Sequence, residues 1–226
     1  MDTGKVKCII FDCDGTLIDS ERCCLDALYY VFSRFSDNVT KDDLVANFQG
    51  GKLADILTQT CERLDIHVSL DILEPLYRER IQTLLQSDLK PVDGVPEVIR
   101  QLKERGVAVC VVSNSPKRKM EFLLDLTGLL EEFRGALFSA FDANSWKPDP
   151  DLLLYTAMNM AVLPQECIYI DDTPLGVEAG VGASMRTYHF RANAYSPKAN
   201  LSAVQEISDI RQILSVIADE REPSTP

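Results

Sequence analysis

The chain has 226 residues, 46% hydrophobic and 26% charged, too apolar to be disordered and long enough for one domain carrying a smaller insertion. Its 23 basic and 35 acidic side chains leave a formal charge of −12, which repels phosphate backbones and anionic lipid, so neither nucleic acid nor membrane is expected as a partner. No apolar run reaches the ~18 residues that span a bilayer. Seven cysteines without a C-x-x-C pair read as free, buried thiols of a reducing compartment. A cytoplasmic protein, monomer or weak dimer, is expected.

In chain order, Val6 to Phe11 begins with alternation and becomes continuously apolar, as a strand buried on both faces does. From about Glu21 to Gln86 only helical spacing occurs: Leu25, Leu28, Tyr29 and Phe32, then Leu53, Ile56, Leu57 and Leu64, then Leu73, Leu76, Tyr77, Ile81 and Leu84. Such a stretch is too long for an ordinary strand-to-helix connection. It predicts a helical domain at 19–89 inserted into a core made of 1–18 and 90–220, with 221–226 a flexible tail. Val95, Val98, Ile99 and Leu102 predict a helix that stops before Gly106, and Val107 to Val112 a second strong strand. Met120, Leu123, Leu124 and Thr127 predict a helix after Pro116, and Gly135 to Ser139 a further strand. Leu153, Ala157, Met160 and Ala161 follow the start signal Asp149-Pro150, and Cys167 to Ile170 is the third strong strand. Thr187 to Phe190 is a last strand, and Ile207, Ile210, Leu214 and Ile217 predict a closing amphipathic helix. The fold class is α/β, a Rossmann-like parallel sheet with an inserted small helical domain.

Each strong strand ends in a compact polar group: Asp12-Cys13-Asp14-Gly15-Thr16, Ser113-Asn114-Ser115 and Asp171-Asp172-Thr173. In an open parallel sheet, ligands bind beyond the carboxyl ends of the strands. Any one group could merely cap a helix. Four carboxylates gathered in one crevice repel one another unless a cation offsets them, and a hard divalent ion, Mg²⁺ above all, suits oxygen donors. Only two histidines occur, His67 and His189, and neither follows one of these runs, which speaks against a His-based phosphatase, a Ser-His-Asp hydrolase or a multi-His zinc site. No G-x-S-x-G and no G-x-x-x-x-G-K-[ST] occurs. Carboxylate nucleophile chemistry remains.

Phe11-Asp12-Cys13-Asp14-Gly15-Thr16-Leu17-Ile18-Asp19-Ser20 resembles the first motif of the haloacid dehalogenase superfamily of phosphohydrolases. Val112-Ser113-Asn114 is similar to its second motif, and Lys147-Pro148-Asp149-Pro150 to its third. Tyr169-Ile170-Asp171-Asp172-Thr173, with Gly176 and Ala179-Gly180, is similar to the fourth. Within the superfamily the pattern is most similar to the β-phosphoglucomutase-like sugar-phosphate phosphatases, including 6-phosphogluconate phosphatases. The resemblance implies a Mg²⁺-dependent phosphatase acting on a small phosphorylated metabolite such as a sugar phosphate, with the helical insert as its cap.

By the same resemblance Asp12 is the nucleophile, Asp14 the general acid and base, and Lys147 the neutralising cation. The metal falls to Asp12, the Asp14 backbone carbonyl and Asp172, with Asp171 adjoining or acting through water. Ser113 and the Asn114 N–H hold phosphoryl oxygens, and Lys52, in Gly50-Gly51-Lys52 of the cap, contacts substrate. Lys117, Arg118 and Lys119 read as a solvated helix face, and Asp19 and Glu21 as caps. A phosphomutase and an inactive binding protein on the same fold are the alternatives. Against the mutase, the position ten after Asp14, a histidine in β-phosphoglucomutases, is Cys24 here.

Overall fold

The computed structural model describes residues 5–48, 53–192 and 204–219. Six strands form one parallel sheet in the order β3-β2-β1-β4-β5-β6. They are β1 (Cys8–Asp12), β2 (Ala108–Ser113), β3 (Leu137–Ser139), β4 (Cys167–Asp171), β5 (Arg186–Phe190) and β6 (Gln205–Ile207). The central β1 is buried at every residue, which is why its sequence is continuously apolar instead of alternating. Side chains still alternate between the two faces. Cys8, Ile10, Cys110, Val112, Cys167 and Tyr169 share one cluster with Leu152, Leu153 and Ala157 of α8 (Asp151–Asn159) and Ala179 of α9 (Pro174–Gly182). Phe11, on the opposite face, meets Phe133 edge to face at 6.5 Å. All seven cysteines are free thiols, and five of them are buried.

Contacts divide the chain into two compact units, Met1–Ile18 with Pro91–Pro226, and Asp19–Lys90. Among its described residues the second unit holds α1 (Ser20–Phe32), α2 (Lys41–Asn47), α3 (Leu53–Leu64) and α4 (Leu70–Asp88) and no strand. Its α1 packs on α2 and α4, and α3 on α4. Leu25, Leu28, Val31 and Phe32 of α1 and Leu73, Tyr77 and Leu84 of α4 are buried, the single-face spacing of amphipathic helices. Thr40 starts α2 by accepting the Asp43 N–H at 3.1 Å. In the first unit α5 (Val95–Glu104), α6 (Lys117–Leu126), α7 (Ala140–Ala143) and α10 (Gln212–Asp219) complete the set with α8 and α9. No helix among the described residues is long and apolar enough to cross a membrane.

The closing helix begins later than its spacing suggests. Gln205, Glu206 and Ile207 pair in parallel with Tyr188, His189 and Phe190, and the chain turns before α10 starts at Gln212. Asp209 breaks the run by accepting the Arg211 N–H at 2.9 Å. Ile207, Ile210, Ile213 and Ile217 are all buried, so one apolar spacing spans a strand, a turn and a helix. An edge strand of three residues is too short to show its own alternation. The segment 221–226 lies outside the described residues.

Candidate active site

β1 carries Asp12 to the C-terminal edge of the sheet, one step beyond the last β1–β4 pair, Phe11 with Ile170, so Asp12 and Asp171 end adjacent strands. The chain then turns at once. The Gly15 N–H donates to the Ile18 carbonyl at 2.8 Å, and the Leu17 and Ile18 N–H groups return to the Cys13 carbonyl at 3.1 and 3.2 Å. Gly15 sits at φ +84°, and a side chain there would also run into the Asp172 carboxylate, so glycine alone fits. The next residue, Thr16, donates its hydroxyl to Asp172 Oδ1 at 2.8 Å. Gly176 is explained in the same way, because a Cβ there would meet the Asp171 carboxylate.

Lys147 lies at the centre. Its Nζ is 2.5 Å from Asp12 Oδ1, 2.7 Å from Asp171 Oδ2 and 3.2 Å from the Tyr169 hydroxyl. The Tyr169 hydroxyl donates to Asp171 Oδ2, and Thr173 gives both its N–H and its hydroxyl to Asp171 Oδ1 at 2.7 Å. Asp171 is thereby fixed from both oxygens. The Asn114 side chain clamps the Lys147 backbone, its Oδ1 accepting the N–H at 2.9 Å and its Nδ2 donating to the carbonyl at 3.2 Å. Ser113 Oγ accepts the Ser115 N–H at 3.0 Å, and the Ser139 hydroxyl donates to the Ser115 carbonyl at 2.8 Å, which sets the loop after β2.

Burial pushes the Asp12 carboxyl up to about 7, with the charges of Asp171 and Asp14 adding and Lys147 opposing. Burial also works against the Lys147 ammonium, but Asp12 and Asp171 outweigh it and hold its pKa well above the usual lysine value. Asp12, Asp171 and Asp172 present carboxylate oxygens within 4.8 Å of one another, all buried. Three buried carboxylates thus face one buried ammonium. Hard oxygen donors with a deficit of positive charge fit a small divalent cation such as Mg²⁺.

The structure therefore brings Asp12, Asp171, Asp172 and Lys147 together, with Ser113 and Asn114 at the neighbouring strand end. Asp14, its side chain 30% exposed, lies at the edge of the group and takes Lys119 Nζ at 3.2 Å. Lys119 is thus more than part of a solvated helix face. The signal for it was three successive cations, Lys117, Arg118 and Lys119, with no acid in the first turn of α6, where the helix dipole disfavours positive charge. Tyr169, Thr16 and Thr173 also belong to the site, and nothing in an apolar strand marks where a tyrosine hydroxyl will point. His189 is nearer than its place in the sequence suggests: it pairs in register with Asp171, and its buried ring donates from Nε2 to the Asp172 carbonyl at 3.1 Å. Asp19 precedes α1 without capping it and instead accepts from Arg22 Nε at 3.3 Å. Lys52 lies outside the described residues.

Beside this parallel sheet and its strand-end cluster stands a match over residues 6–184 to the model of the haloacid dehalogenase-like hydrolases. The chain belongs to this family and is by that relationship a phosphatase. It is 31% identical over 193 residues to the 6-phosphogluconate phosphatase of Escherichia coli, covering 85% of this chain and 86% of that one. It is 26% identical to a phosphorylated carbohydrates phosphatase of Thermotoga maritima, over 88% of this chain and 91% of that protein. Among solved structures, a conserved haloacid dehalogenase-like protein of unknown function from Agrobacterium tumefaciens superposes with a TM-score of 0.82 at 26% identity, covering 96% of this chain and 100% of that one.

Proposed function

We propose that the enzyme hydrolyses a small phosphorylated metabolite, a sugar phosphate such as 6-phosphogluconate, through an aspartyl-phosphate on Asp12 and with Mg²⁺. The observation that carries this reading is the buried contact of Lys147 with Asp12 beside Asp171 and Asp172. An Asp12 oxygen attacks phosphorus, the bond from phosphorus to the substrate oxygen breaks, and Asp14 gives that oxygen its proton. A water then attacks the same phosphorus and passes its proton to Asp14. The bond to Asp12 breaks, phosphate leaves, and Asp12 is again a carboxylate with Asp14 protonated. The difference in exposure suits the division of labour, since the Asp12 side chain is 7% exposed while that of Asp14, at 30%, reaches water.

Ser113 and the Asn114 N–H hold the nonbridging oxygens of the phosphoryl group, and Lys147 offsets charge on that group and Asp12 together. Asp12, Asp172 and the Asp14 backbone carbonyl, with Asp171 alongside, would hold Mg²⁺, which when bound would supply the positive charge that lets a carboxylate meet an anionic phosphoryl group. Asp19–Lys90 serves as the cap domain, with Lys52 a substrate contact. Two relatives named for phosphorylated sugars support the substrate class, and free thiols agree with a cytoplasmic site of action. A panel of sugar phosphates tests the reading: phosphate should appear on adding Mg²⁺ and stop with EDTA. Release that persists in EDTA would overturn the metal dependence. Formation of glucose 6-phosphate from β-glucose 1-phosphate faster than free phosphate would make the enzyme a mutase, the outcome that Cys24 argues against.

A further inference from the structure

We propose that Lys119 is a positioning residue that holds the carboxylate of Asp14 where it can protonate the leaving oxygen, an inference that rests on the reading of Asp14 above. The carboxylates of the cluster are not held alike. Asp171 is fixed by Lys147, Tyr169 and Thr173, Asp12 is buried against Lys147, and Asp172 accepts from Thr16. Asp14 is 30% exposed at the start of a turn, where each fixed contact restricts its rotamers.

Lys119 supplies that hold and is itself held. Its Nζ lies 3.2 Å from Asp14 Oδ2 and 3.2 Å from Ser115 Oγ. Ser115 is anchored through its backbone to Ser113 at the end of β2 and to Ser139 at the end of β3. The chain of contacts runs from two strand ends through Ser115 and Lys119 to Asp14, so the sheet helps to orient the acid. A cation at the third position of α6 opposes the helix dipole. Helix stability does not account for Lys119, whereas the pairing with Asp14 does. Lys147 is already committed to Asp12 and Asp171. As the phosphorus–oxygen bond breaks, the proton moves from Asp14 to the leaving oxygen, and Lys119 faces the carboxylate left behind.

The test compares leaving groups in single turnovers, with enzyme in excess and Mg²⁺ present. Glucose leaving from glucose 6-phosphate needs a proton, whereas p-nitrophenolate leaves from p-nitrophenyl phosphate without one. Lys119→Met should slow glucose release by about 10–100-fold and p-nitrophenol release by less than about threefold, and Lys119→Arg should recover most of the loss. Equal losses on both substrates would reduce Lys119 to a structural residue and overturn the inference. In a parallel steady-state assay, a raised KM with kcat unchanged would do the same by making it a substrate contact. If wild-type protein releases neither product, the phosphatase reading itself falls, which separates that failure from this one.

Discussion

Lys147 in the sheet unit and Lys41 in the helical unit each bring Nζ to 2.5 Å from an aspartate Oδ1, that of Asp12 and that of Asp26. The first pair is 6% and 7% exposed, the second 59% and 29%. Equal distances therefore carry unequal weight. In water the attraction is screened and offset by the entropy of holding two long side chains, whereas in the interior each charge is stranded if its partner goes. Among the described residues of the helical unit no charged residue is fully buried, and the buried side chains are mainly apolar, such as Leu57 of α3 and Leu73 and Leu84 of α4. The sheet unit buries Asp12, Lys147, Asp171 and Asp172 together, a costly arrangement that packing alone would not produce.

The largest effect should come from Asp12, the buried member proposed to react. Asp12→Asn cannot form an acyl phosphate, so kcat should fall by at least about 10⁴-fold, the scale on which losing a nucleophile acts, with the circular dichroism spectrum unchanged. A variant that kept about a tenth of the wild-type rate would contradict the assignment, since a nucleophile cannot be spared so cheaply. Next comes the cation. Lys147→Met leaves Asp12 and Asp171 buried without their ammonium and should cost about 3–5 kcal/mol in metal-free urea unfolding. Added Mg²⁺ should recover part of that loss by binding the same carboxylates in the native state. A metal-free loss under about 1 kcal/mol would erase the contrast with Lys41.

What the sequence made legible follows the same division. Asp12, Ser113 and Asp171 could be placed together because each ends an apolar run, and a parallel sheet aligns such ends; the registers of β1 with β2 and β4 confirm it. Contacts that depend on how a loop or helix folds back could not be read. Lys119 meets Asp14 across 105 positions and Asn114 clamps Lys147 across 33; the three cations at 117–119 marked an odd helix start without naming its partner, and nothing local marked the clamp. The strand β6 was hidden for a different reason: its Ile207 lies three before Ile210, an interval that a helix shares. In the helical unit the spacing of Leu25, Leu28 and Phe32 revealed the helix and its buried face. Nothing comparable marks residues that face a ligand, because an exposed polar side chain on a helix carries no sign of its task.

The smallest effect sharpens the comparison most, because it changes the same atom at the same distance in the other unit. Lys41→Met removes the ammonium that pairs with Asp26 and also lies 5.5 Å from the centre of the Tyr29 ring. An exposed ion pair and an exposed cation–π contact together should be worth about 0.5–1.5 kcal/mol in urea unfolding at low salt. At about 1 M salt the Debye length shrinks to ~3 Å, so the ion-pair share should largely vanish while the loss from Lys147→Met persists. A Lys41→Met loss of several kcal/mol that salt does not reduce would mean that distance, not burial, sets the weight of a pair in this protein. The strand-end cluster would then lose its standing as the costly feature that marks the site.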